Sequence, residues 1–76
     1  MDEEVFYNGK RFAPGIRVWM REDDGRIIRG TVIRATNGSD NPLGGYPRVC
    51  IEWDMQPGRY DWYMGSDFDF LQLVRR

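Results

Sequence analysis

Histidine is absent from this 76-residue chain, and cysteine occurs once, at Cys50. A lone cysteine forms no internal disulfide, and without histidine it builds no structural zinc site. The same gap removes the commonest general base near neutral pH. It also removes the imidazole that would activate Cys50 as a nucleophile. A fold this small rarely has room for a deep pocket, so the sequence predicts a protein that is not an enzyme. The acidic runs Glu22-Asp23-Asp24 and Asp67-Phe68-Asp69 are too short and ungapped for a calcium loop. They read as turn and capping residues, and no metal and no cofactor is expected.

Charge of one sign is also missing. Acidic and basic residues nearly cancel, to a net charge of −1, and both signs are spread along the chain. A non-specific nucleic-acid binder would show a clustered positive excess, so nucleic acid ranks below protein as a partner. Lys10 is the only lysine, and the other ten of the eleven basic residues are arginine. Arginine suits bidentate pairing with carboxylates and stacking on aromatic rings. No apolar run approaches the roughly 20 residues that span a bilayer. The acidic start, Met1-Asp2-Glu3-Glu4, lacks a signal-peptide layout. A cytoplasmic or nuclear protein without membrane contact is expected. Asn37-Gly38-Ser39 matches a glycosylation sequon and reads as a loop in that setting.

What is present is aromatic and alternating. Three Trp, four Tyr and four Phe can supply a core that no disulfide reinforces. Length allows a single domain. Residues 1–14 show no clean period and read as an irregular N-terminal arm that packs Phe6 or Phe12 on the rest. The domain proper is then 15–76. Ile16, Val18 and Met20 alternate with Arg17, Trp19 and Arg21, which predicts a half-buried strand over 16–21. A turn at Asp23-Asp24-Gly25 leads to a second strand over 27–35, where Gly30 suggests a bulge or a tight bend. Residues 36–47 form a long loop. Val49, Ile51 and Trp53 alternate with Cys50, Glu52 and Asp54, predicting a strand over 48–54. A fourth strand covers 59–64. Gly65-Ser66-Asp67 breaks it into one helical turn, and a fifth strand covers 70–74. Five short strands with glycine-bearing turns predict an all-β fold, a small five-stranded barrel.

The ordered series Gly15-x-Arg17-Val18, Gly30-Thr31-Val32, Val49-x-Ile51-x-Trp53-Asp54, Tyr63 and Phe68-Asp69-x-Leu71-x-Leu73 resembles the Mind bomb/HERC domain of ubiquitin-protein ligases. The likeness covers residues 15–74. It implies an SH3-like barrel serving protein interaction, as the substrate-recognition part of a ligase. The chain departs from that pattern at 21–26, where a short turn replaces a longer segment. A remote Tudor-like relative is equally consistent with the series.

Aromatic and arginine side chains dominate interface energetics, so they are the candidate anchors for a bound peptide. The set is Trp19, Tyr46, Tyr60, Tyr63, Arg17, Arg48 and Asp61. Trp19 lies out of phase with Ile16, Val18 and Met20 and reads either as a peptide platform or as packing for the N-terminal arm. Trp53 and Trp62 are expected in the core, with Tyr63 on the surface. A methyl-lysine or methyl-arginine cage would draw on Trp19, Tyr46, Tyr60 and Tyr63 with Asp54 or Asp61. Arg17, Arg29 and Arg48 could form a stripe, which interleaved acids would neutralise. The reading is a peptide-binding module, monomer or weak dimer, with a reader of methylated side chains and a nucleic-acid-binding barrel as alternatives.

Overall fold

The computed structural model describes residues 4–38 and 45–74. Met1 to Glu3, Ser39 of the sequon and half of the 36–47 loop lie outside the described residues. Among the described residues seven strands and one 3-10 helix follow in order: β1 (Val5–Tyr7), β2 (Lys10–Phe12), β3 (Arg17–Arg21), β4 (Ile27–Thr36), β5 (Arg48–Trp53), β6 (Tyr60–Met64), the 3-10 helix (Gly65–Phe70) and β7 (Gln72–Leu73). The fold is all-β. One antiparallel sheet has the order β6-β5-β4-β3-β7, and β1 and β2 form a second, two-stranded sheet.

Residues 5–12, expected within an irregular arm, form a two-stranded hairpin instead. Asn8 and Gly9 both take positive φ, 48° and 78°. That is the backbone a two-residue hairpin turn requires, and Asn-Gly adopts it at little cost. The resulting register pairs Val5 with Phe12 and Phe6 with Arg11. Val5 and Phe12 are buried, whereas Phe6 points to solvent. Three-residue strands are too short to show a period, which is why alternation does not reveal them.

Within the large sheet, antiparallel partners share a face. Val18 pairs with Gly30, Gly30 with Trp53, Val32 with Ile51, and Ala35 with Val49. These residues form the inner face and the centre of the core. Phe68 of the 3-10 helix closes the core from below. Its ring stacks on Tyr7 at 5.2 Å and meets Phe12 at 5.3 Å. Lys10 Nζ donates to the Leu71 carbonyl at 3.0 Å, a second tie between hairpin and C-terminal segment.

Gly30 is not the site of the bulge. The register shift falls later, between Val32 and Arg34. At Gly30 an added Cβ would lie 2.7 Å from the Glu52 carbonyl oxygen and 2.8 Å from Trp53 Cε3. The missing side chain lets β5 and the Trp53 ring close onto β4. The final strand is also shorter than alternation suggests: Phe70 ends the 3-10 helix, and only Gln72 and Leu73 pair with β3.

Two outcomes follow for urea denaturation. Gly30→Ala is expected to cost about 1–3 kcal/mol, because backbone lies in the way of the methyl group. Phe12→Ala is expected to cost about 3–5 kcal/mol, the range for emptying a buried aromatic site. A loss below about 1 kcal/mol for Phe12→Ala would show that the hairpin is not part of the core.

Candidate binding cleft

Trp53 ends β5 on the inner face, 5% exposed. Tyr63 pairs with Val49 and Asp61 with Ile51, so both side chains lie on the same inner face as Trp53. Met20 pairs with Ile28 across β3 and β4, also on that face. Beyond this ladder the sheet ends in two hairpin turns. The first, Glu22–Arg26, is closed by Glu22 N donating to Arg26 O at 2.8 Å. The second follows Trp53, and Glu52 Oε2 accepts from Gly58 N at 3.0 Å to hold it.

Between these turns lies a cleft of about 560 Å³, floored by Met20, Ile28, Trp53 and Tyr63 and walled by Met55 and Phe70. Met55 and Phe70 are 66% and 61% exposed. The rim carries charges of both signs: Arg21, Glu22, Asp23, Arg26, Arg59 and Asp61. The floor is held by polar contacts. Trp53 Nε1 donates to Asp61 Oδ2 at 2.9 Å, and Arg59 Nε lies 3.6 Å from the same oxygen. Trp53 and Tyr63 meet edge to face, centroids 6.1 Å apart at 87°. The Tyr63 hydroxyl donates to Met20 Sδ at 3.7 Å. Burial pushes that hydroxyl above its usual pKa, and the charge of Asp61 adds to the effect, so it stays protonated at neutral pH. An apolar, partly aromatic concavity with a few polar groups is the usual form of a ligand site.

Of the residues singled out from sequence, only Tyr63 and Asp61 reach this cleft. Arg17, Tyr60 and Trp19 occupy the outer face, in register with Thr31, Glu52 and Arg29 respectively. Arg48 is on that face too, its guanidinium 5.3 Å from the Trp62 ring centroid. Tyr46 is elsewhere again, in a smaller pocket with Tyr7, Pro47, Met64, Gly65 and Phe68. Trp19, Tyr46, Tyr60 and Tyr63 therefore do not converge on one cage. Trp62 is not in the core: it is 43% exposed on the outer face, and Tyr63 packs inward in its place. Alternation separates the two sets on β6 but does not say which set faces in; pairing with Val49 decides that.

The expected arginine stripe is largely neutralised at one end. Both Arg17 guanidinium nitrogens bind the Asp54 carboxylate, and Nη1 also donates to Thr31 Oγ1 at 2.8 Å. Cys50 is buried on the face away from the cleft, and burial raises its thiol pKa. Such a thiol is a weak nucleophile. Sequence reasoning overlooked Met20, Ile28, Met55 and Phe70 as site residues. Met55 carried a readable signal, being a large apolar residue set in a turn. Among the described residues no group of three or more Cys, Asp or Glu is placed to hold a metal ion. No helix among them is long and apolar enough to cross a membrane.

The Arg17 guanidinium, by hydrogen bonding first and charge second, holds the Asp54 carboxyl below its usual pKa. A depressed carboxyl stabilises the fold above the unfolded-state value, and that contribution is lost as pH falls through the folded one. The melting temperature is therefore expected to drop below about pH 4, and Asp54→Asn to flatten part of that slope. Both side chains are about half exposed (41% and 48%), so Asp54→Asn should cost at most about 1 kcal/mol at pH 7. Thermal melts from pH 2 to 7 measure both.

Comparison of the chain with family models, with curated proteins and with solved structures found no match in any of the three.

Proposed function

We propose that this chain is a small barrel of the SH3/Tudor-like kind and works as a non-catalytic binding module, taking a peptide segment of a partner protein into the cleft between its two hairpin turns. The order β6-β5-β4-β3-β7, in which the last strand returns to pair with β3, supports the barrel. The cleft carries the functional reading. Its floor is apolar and anchored from beneath, while Met55 and Phe70 stand exposed at its walls. Thioether side chains such as Met20 and Met55 adapt their shape to a bound side chain. Large exposed apolar groups beside a concavity mark interaction sites. The Mind bomb/HERC-like strand series is the support for a role in substrate recognition by a ubiquitin ligase.

A second reading rests on Trp53, Tyr63 and Phe70 lining the cleft with the Asp61 carboxylate. Aromatic rings with an acid suit a methylated ammonium or guanidinium group. Against it, Asp61 is already bound by Trp53 and Arg59, and Trp53 is almost wholly covered.

Panning a phage-displayed library of random peptides against the full chain tests the main reading. Enriched peptides are expected to shift the amide resonances of Met20, Ile28, Tyr63 and Phe70. Met55→Ala and Phe70→Ala should each weaken binding by about tenfold, with folding intact because both side chains are exposed. Shifts that avoid the cleft, or no enriched binder, would overturn the reading. An array of methylated and unmethylated Lys and Arg peptides decides the second reading, which fails if methylation changes nothing.

A further inference from the structure

Among the described residues β6 is the one long strand whose outer edge has no backbone partner. It ends the large sheet and pairs with β5 alone. At the opposite edge β7 has two residues, and β1 and β2 have three each. Edges that short offer little to another strand. β6 has five residues, Tyr60 to Met64, with no lysine, no proline and no bulge to guard them. Its one charge, Asp61, points inward, where Trp53 Nε1 holds it at 2.9 Å. Its outward side chains are Tyr60, Trp62 and Met64, all exposed.

The strand is its own complement. A two-fold axis normal to the sheet sets inner face beside inner face, so in antiparallel self-pairing one residue of β6 lies opposite itself. With Asp61 in that position two carboxylates meet, which is unfavourable. With Tyr63 there, Asp61 and Tyr60 fall opposite Gly65 and Ser66, which already belong to the 3-10 helix. With Trp62 there, all five residues pair. Asp61 then meets Tyr63 of the second copy, Tyr60 meets Met64, and no like charges face each other. Met64 neighbours Arg48 on β5, and Tyr60 neighbours Glu52. Each Met64–Tyr60 pair therefore has Arg48 of one copy on one side and Glu52 of the other copy beyond it. These opposite charges stand about 14 Å apart at Cα, three strand spacings, within reach of two long side chains.

We propose that two copies of this chain pair antiparallel through their β6 edges, Trp62 facing Trp62 at the two-fold axis, and join their five-stranded sheets into one. A foreign strand would meet the same backbone groups. A second copy also matches ring to ring, thioether to ring, and Arg48 to Glu52. The interface is one short strand wide, below the standard size for a stable complex, so the dimer is weak and forms at high concentration. The pairing stands independently of the peptide-binding reading. To that reading it adds an arrangement. Asp61 and Tyr63 line the cleft, so the two clefts lie side by side across the axis, on one face. A partner carrying the bound segment twice then gains from bivalent binding.

Sedimentation velocity of the full chain from about 10 μM to about 1 mM tests the pairing, and a passage from monomer to dimer is expected across that range. In a mixture of isotope-labelled and unlabelled chains, the Met64 methyl group is expected to contact the Tyr60 ring. Within one chain these residues lie about 13 Å apart along the strand, so that contact arises only between copies. Trp62→Lys sets like charges opposite each other and is expected to weaken association at least tenfold. Tyr60→Lys, at a more exposed position, is expected to weaken it about tenfold, and thermal melts confirm that each variant folds. A chain that stays monomeric at about 1 mM overturns the proposal. So does a dimer without the Tyr60–Met64 contact, or one that both lysine variants leave unchanged. Amides of β6 that exchange more slowly when a peptide is added, but not when protein concentration rises, would assign the edge to a foreign strand and overturn it too. Cleft binding by a strictly monomeric chain leaves the peptide-binding reading standing, so the two readings fail separately.

Discussion

The close approach of Trp53 to Gly30 is the contact on which the rest of the molecule depends. The two residues face each other across β4 and β5, and there is no space between them for a methyl group. Because β4 yields its side chain at that position, the indole packs closely over Gly30 and is almost wholly buried. From there the ring organises its neighbours. Its N–H holds Asp61, it meets the Tyr63 ring at a near-perpendicular angle, and together they help make the floor of the cleft. One absent Cβ thus links the packing of the central strands to the shape of the candidate site.

A chain whose lone cysteine forms no internal disulfide must find its stability in packing. The N-terminal hairpin is one answer. Val5 and Phe12 complete the core, and Phe68 wedges against Tyr7 and Phe12 from the 3-10 helix. Lys10 then ties the hairpin to the backbone at Leu71. The N-terminal hairpin and the segment from Phe68 to Leu71 hold each other. Each piece covers apolar surface that the other would leave in water.

Much of the fold was legible because strand alternation is a local property. Val49-Cys50-Ile51-Glu52-Trp53 shows its period without help, and β3 to β6 fall within a residue or two of their expected ranges. The hairpin at Asn8-Gly9 was legible in its turn chemistry but not in its period, since three residues show none. The candidate site was less visible. Tyr63 and Asp61 were found, while Trp19, Tyr60 and Arg17 proved to lie on the far side of the sheet. Exposed aromatic residues can be counted in a sequence, but convergence depends on which strand lies beside which.

The sequence by itself determined the class of the protein: all-β, with turns at its glycines and no histidine or paired cysteine for imidazole, zinc or disulfide chemistry. Those conclusions need only composition and spacing. The tertiary structure decided which half of each alternating strand faces inward. Trp62 and Tyr63 exchange their expected places because Tyr63 pairs with the buried Val49, and a shift of one residue in register reverses every side chain on a strand. It also decided that two turns and the end of the 3-10 helix, far apart along the chain, enclose one cleft around Trp53. Such a site exists only when strands are paired, because its residues share no local pattern.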